Sequence, residues 1–156
     1  MTATGASGEL LKAKRTSDRL RQPIPREPDH SCVKSVGRLE IEIGTSGSTS
    51  WVTRDQQAGC LKARSLRHDP DGNLTVAVIN TTGGLTGGDS LTQVVRWHDQ
   101  SRACVTTPAA EKIYRSAGGN ALVRTELHVA NGAFAEWLPQ ETILFDGGRL
   151  ERNVDI

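Results

Sequence analysis

What most constrains this chain is an alternation of apolar and polar residues that starts after residue 35 and is broken at short intervals by glycine. Leu39, Ile41 and Ile43 alternate with Arg38, Glu40 and Glu42. Successive side chains of a strand point to opposite faces, so this spacing gives a sheet one apolar face. The same rule returns downstream. Leu61, Ala63 and Ser65 interleave with Lys62 and Arg64, and Ala121, Val123, Thr125, Leu127 and Val129 interleave with Leu122, Arg124, Glu126 and His128. Leu74 to Ile79 is apolar on both faces, the pattern of a central strand covered on both sides. Between the runs stand turn signals: Asp69-Pro70-Asp71-Gly72-Asn73, Gly83-Gly84, Gly87-Gly88, Gly118-Gly119-Asn120, Asn131-Gly132 and Asp146-Gly147-Gly148. Many short strands and almost no helix are expected. Thr107 to Ser116 fits either a short helix opened by Pro108 or a strand carrying Ile113 and Tyr114.

Leu91 to Thr106, Leu122 to Trp137 and the segment from Ile143 share a loose rhythm of strand, turn and strand, without a strict repeat. That rhythm suits stacked β-layers better than a closed barrel, so the expected fold is all-β: a two-layered, β-helix-like sandwich of many short strands. Leu150, Val154 and Ile156 begin one more alternating strand where the sequence stops. An incomplete β domain with an open edge is the expectation.

Residues 1–34 read differently. Up to residue 31, six basic residues stand against four acidic ones, with three prolines and almost no apolar periodicity. Such a composition does not offset the entropy of ordering, so a disordered or loosely attached arm of net charge +2 is expected. Residues 35–156 remain as one domain, long enough to bury a sizeable core.

The bulk charge narrows the function. Lys and Arg number 19 against 18 Asp and Glu, a formal charge of +1, too little for the positive field that nucleic-acid binding needs. No apolar stretch approaches the ~20 residues that span a bilayer, and the start has no apolar secretory core. A cytoplasmic protein is expected. Cys32, Cys60 and Cys104 form no CxxC element, which suits reduced thiols; Cys60 and Cys104 read as small buried hydrophobes in apolar β segments.

Three stretches are distinctive. Thr81-Thr-Gly-Gly-Leu-Thr-Gly-Gly-Asp89 lacks the Gly-Lys-Ser/Thr ending of a phosphate loop and has no following amphipathic helix. Its glycines instead supply backbone able to take φ > 0 and approach other groups closely. Ala109-Ala-Glu-Lys-Ile-Tyr-Arg-Ser116 reads as an ion-paired strand with an aromatic anchor. Trp137-Leu-Pro-Gln-Glu-Thr-Ile-Leu-Phe-Asp-Gly-Gly-Arg149 places Glu141 and Asp146 on opposite faces of an extended strand, ~16 Å apart and too far for an acid/base pair. There is no Gly-x-Ser-x-Gly elbow and no His-Glu-x-x-His, and the four histidines are scattered. The residues alone define a β-rich domain with no assembled catalytic group and no tightly bound cofactor.

In this order and spacing the three stretches resemble the urease accessory protein D family (UreD, also called UreH), over roughly residues 36–156. The resemblance implies a two-layered β fold with β-helical character and no catalysis of its own. It further implies a scaffold that binds the urease apoprotein and joins UreF and the GTPase UreG to load nickel. Family members are longer than this chain. Passing a divalent ion between proteins calls for carboxylates that exchange ligands, because a closed Cys/His cage would retain nickel. The acidic positions within the motifs are Asp89, Glu111, Glu141 and Asp146, the candidate ligands for transient nickel(II). The same four acids fit turn caps, or partners of Lys112, Arg115 and Arg149, equally well. Gly83, Gly84, Gly87, Gly88, Lys112, Tyr114, Arg115, Trp137, Pro139 and Gln140 are the structural positions of the motifs. Two other classes compete. A carbohydrate-acting enzyme would need two carboxyls ~5 to 10 Å apart in a cleft with aromatic platforms, and six aromatic residues argue against it. A generic β-sandwich interaction module would be indifferent to nickel and urease.

Overall fold

The computed structural model describes residues 34–156, so Cys32 and the expected N-terminal arm, except Lys34, lie outside the described residues. Eleven strands follow one another: β1 (Val36–Ser46), β2 (Thr49–Gly59), β3 (Leu61–His68), β4 (Leu74–Asn80), β5 (Ser90–Trp97), β6 (Arg102–Thr106), β7 (Glu111–Ile113), β8 (Ala121–Val129), β9 (Phe134–Leu138), β10 (Thr142–Leu144) and β11 (Leu150–Asp155). The described residues contain no helix, and therefore none long and apolar enough to cross a membrane. Within Thr107 to Ser116 there is no helix; Glu111–Ile113 forms the short strand β7 and the rest is loop apart from a single bridge at Arg115.

Sheet A runs β11-β8-β5-β1-β2 and sheet B runs β3-β4-β6-β9, while β10 and β7 form a narrow third face. Only the two hairpins, β1 with β2 and β3 with β4, are antiparallel. Every other pair is parallel. Parallel neighbours need a crossover, and here the third face supplies it. The chain visits sheet B, the third face and sheet A in turn: β4, Leu85, β5; then β6, β7, β8; then β9, β10, β11. Leu85 bridges Ile113 in parallel just as β7 pairs β10. Each segment thus stacks on one about thirty residues earlier, which is β-helical stacking. The rungs share no strict sequence repeat, because backbone ladders ask only for matching inward and outward alternation.

The alternating positions behave as the pattern requires. Leu39, Ile41 and Ile43 of β1, Val95 and Trp97 of β5, Leu74 and Val76 of β4 and Val105 of β6 are buried between the sheets. Each such side chain contributes on the order of 1.5–3 kcal/mol by leaving water. Trp97 also donates from Nε1 to the Ala103 carbonyl at 3.1 Å, tying sheet A to sheet B. On the third face Leu85 and Ile113 point inward and complete the same core.

Two expectations need correction. Strand β4 lies inside its sheet and its outer face carries buried Ala77, but Thr75 and Ile79 on either side of it are only half-buried, and among the described residues no second sheet lies over that face. Cys104 sits on that outer face because Ala103 and Val105 take the inward positions of β6; it is half-buried, not a core hydrophobe. Cys60, between β2 and β3, does pack against the core, though only half-buried. Burial pushes both thiols above their ordinary pKa, which disfavours the reactive thiolate.

The last rung, β9, β10 and β11, has a neighbour on one side only. Phe134, Leu138, Leu144, Val154 and Ile156 are correspondingly exposed.

Candidate functional site

All three distinctive stretches meet at the third face. Gly84 has φ of +154°, outside the range of side-chain-bearing residues, and a Cβ there would overlap the Tyr114 ring. The Tyr114 ring lies over this glycine and stacks on Phe145 with centroids 5.3 Å apart and planes 9° from parallel. Leu85 N–H donates to the Lys112 carbonyl at 2.7 Å, and Tyr114 N–H donates to the Leu85 carbonyl at 2.8 Å. Phe145 N–H donates to the Ile113 carbonyl at 3.0 Å, so one strand position from each motif is stitched to the next.

The second glycine pair serves the adjoining turn. Gly87 has no room for a Cβ beside Ser116 and the Gly118 carbonyl, and Gly88 holds φ at +90°. Gly83 is also at positive φ, 77°. Asp89 closes this turn: buried, it accepts from Ser35 N–H and Thr86 N–H, each at 2.8 Å. Its two oxygens are occupied by backbone donors, the arrangement of a turn cap.

The other three acids are separated from it and from one another in role. Asp146 is exposed and pairs with Arg115 on the neighbouring rung. Ion pairing in the second motif therefore runs between rungs; the described residues give Lys112 no ionic partner and Glu111 an amide one. Glu141 is exposed, and it is its backbone carbonyl that accepts from Glu111 N–H at 3.0 Å. Among the described residues no three His, Cys, Asp or Glu side chains come together as a metal cluster.

Glu111 differs from the rest. It is half-buried, and Asn80 Nδ2 donates to its Oε1 at 3.2 Å. Burial pushes its carboxyl above the ordinary glutamate pKa, opposed by the Asn80 hydrogen bond and the charge of Arg152. It lines two cavities at once. The outer one, of about 400 Å³, is bounded by Gly83, Gly84, Asn80 and the Thr107–Ala110 loop. The inner one, of about 330 Å³, lies between the sheets at the open rung and is lined by Gln93, Thr125, Trp137, Pro139, Gln140 and Arg152. Thr107 borders both cavities, and its hydroxyl accepts from Gln140 N–H at 2.9 Å. Gln93 is buried, yet among the described residues its Oε1 has no hydrogen-bond partner.

Sequence reasoning picked out Glu111 but could not separate it from Asp89. Gln93, Asn80 and Thr125, which surround Glu111, were not among the residues it singled out. Gln93 and Thr125 occupy inward positions of otherwise apolar alternating strands, and that polar interruption was the available signal.

Rung stacking and a motif-built third face define an all-β stacked sandwich. Residues 35–156 match the family described as UreD urease accessory protein. The chain is 41% identical over 143 residues to the urease accessory protein UreD of Chelativorans sp. (strain BNC1), covering 92% of this chain and 49% of that protein. It is 42% identical over 124 residues to that of Brucella suis, covering 80% and 43%, and 38% identical over 123 residues to that of Rhodopseudomonas palustris, covering 79% and 44%. The chain belongs to the UreD urease accessory protein family, and it spans about half the length of the curated relatives it matches.

Proposed function

We propose that this chain supplies the nickel-handling half of a urease maturation scaffold, working in the cytoplasm with the urease apoprotein, UreF and the GTPase UreG and catalysing no reaction itself. The observation that supports the nickel part is the position of Glu111: a half-buried carboxylate shared by an outer and an inner cavity and held by an amide, not by a close cation. Around it stand neutral oxygen donors, the Gln93 amide, Thr107 and Thr125. Imidazole nitrogens hold nickel(II) firmly, so one carboxylate among neutral oxygens, with the Arg152 guanidinium also on the inner cavity wall, would hold it weakly and let it leave, which suits cargo in transit. On this reading Asp89, Glu141 and Asp146 are not ligands. Asp89 closes a turn, Glu141 lends its backbone and Asp146 steadies Arg115.

The test is reconstitution of apo-urease with nickel and the other accessory proteins. Glu111→Ala is expected to lower activated urease several-fold while the complex still forms. An unchanged activation rate with intact assembly would remove nickel transit and leave only the scaffold.

A further inference from the structure

The two broad outer faces are charged in different ways. On sheet A, Arg38 and Arg96 lie 4.0 and 3.6 Å from Glu40, and Arg54 lies 3.4 Å from Glu42. His98 and His128 are likewise beside Glu42 and Glu126, and only Arg124 of β8 stands on this face without an ion pair among the described residues. On sheet B, alternation turns Lys62, Arg64 and Arg67 of β3 and Arg102 of β6 outward, since Leu61, Ala63 and Ala103 take the inward positions. Among the described residues these four cations form no ion pair. Arg64 donates to the Ala63 carbonyl, and Arg102 donates to Asn73 Oδ1 and lies over the Phe134 ring.

The same face has a defined relief. Register places Arg64 beside Ala77, then Thr106, then Leu138, and places Arg67 beside Thr75, then Cys104, then Glu136. In these two rows the central strands carry small side chains, while Ile79 and Arg102 stand at the two ends of the same face. One rim is the cationic column on β3; the other is β9, with Phe134 and Leu138 about half exposed. Three inter-strand steps separate the rims, roughly 14 Å, and an α-helix with its side chains is about 10–12 Å across.

We propose that the outer face of sheet B is a docking trough for an amphipathic α-helix of a partner protein, with an acidic stripe facing Lys62, Arg64 and Arg67 and an apolar stripe on Phe134 and Leu138. Small central residues let the helix lie close to the sheet. Unpaired cations beside exposed aromatic and aliphatic anchors are the composition of a recognition surface, not of a solvated one. A nucleic-acid backbone fits less well, because half of the trough is apolar and Glu136 stands on its far rim. The chain's own first 31 residues carry net charge +2, the wrong sign for this surface. The inference needs the scaffold reading only for the existence of protein partners.

The test uses the whole chain, isotopically labelled, and a synthetic 20-residue helical peptide with Leu on one face and Glu along one flank. Amide shifts are expected to concentrate on Thr75–Ile79 and Cys104–Thr106. Binding should weaken at least about tenfold in Arg64→Glu/Arg67→Glu, or when salt shortens the Debye length. Arg38→Glu/Arg124→Glu on sheet A, with the same change of net charge, should bind as the parent does, and all variants should melt alike. Shifts on another face, no shifts, equal binding of a Lys-for-Glu peptide, or equal binding of a DNA duplex at these residues would each overturn the proposal. So would self-association of the chain that Arg64→Glu/Arg67→Glu abolishes, since the trough would then belong to a second copy. Pull-down of apo-urease, UreF and UreG in parallel separates the two readings. Loss of one partner in the sheet-B variant alone supports the trough. Capture of no partner by the parent chain defeats the proposed function while the peptide result still decides the face.

Discussion

The interior of this sandwich has two ends built to different specifications. At the β1–β4 end Leu39, Ile41, Ile43, Leu61, Leu74 and Val76 fill the space between the sheets with hydrocarbon. Toward the β8–β11 end polar groups enter the interior beside Ala121, Val123 and Leu127: Gln93 of β5, whose Oε1 has no partner among the described residues, buried Thr125 and half-buried Glu111. Exposed Arg152, whose Nη1 donates to Thr142 Oγ1 at 2.9 Å, stands at the cavity mouth. A buried amide oxygen without a partner costs about 1–3 kcal/mol, and a carboxyl whose pKa is raised by burial also disfavours the folded state once ionised. The first end is therefore organised for stability. The second gives some of that stability up, as sites that handle a ligand commonly do.

The contrast can be broken by substitution, and the largest effect is expected at the apolar end. Trp97→Ala removes the largest fully buried side chain and its link to Ala103, and should cost about 3–5 kcal/mol in denaturant unfolding. If it costs less than Gly84→Val, the apolar end is not the anchor. Gly84→Val comes next, on the order of 2–4 kcal/mol, from positive φ and collision with Tyr114. Its loss of urease activation should follow its loss of complex, because it disturbs folding and not a ligand.

Asp89→Ala should cost about 1–3 kcal/mol by stranding two backbone donors. A stable Asp89→Ala protein that fails only in nickel loading would restore Asp89 as a ligand. For Glu111→Gln the sign reverses. The folded pKa of Glu111 lies above the unfolded one, so the native state binds more protons between the two, and its stability falls as pH rises through that window. Glu111→Gln should thus melt slightly higher than the parent at pH 7–8, converge with it toward acid pH, and activate urease less. A lower melting temperature at neutral pH would mean that the carboxylate is structural. The smallest effect belongs to Asp146→Ala, an exposed pair with Arg115, whose loss should leave thermal melting unchanged. A clear drop would make the third face part of the stability core.

Much of the fold was legible because alternation is a local signal. The inward sets on β1, β3 and β8 follow from period two except at Ser65 and Val129, which end exposed, and the glycine pairs announced tight backbone. Stacking was legible only as rhythm, since a parallel ladder joins residues about thirty positions apart without asking them to be alike. The site was legible as motifs and not as roles. Asp89 and Glu111 are both acids within signature stretches, yet one meets two backbone N–H groups and the other meets an amide between two cavities.

By itself the sequence determined the strand periodicity, the near absence of helix outside Thr107 to Ser116, and the three motifs that mark the family, because each rests on neighbouring residues. Only the tertiary structure decided that those motifs share one narrow face and that Gln93 and Thr125 make the interior polar at one end. Among the described residues it also left the cations of β3 without an ion pair while those of β1 and β5 found partners. Those outcomes depend on which strands become neighbours, and parallel pairing across a crossover is fixed by the packing of the whole stack, not by any local run of residues.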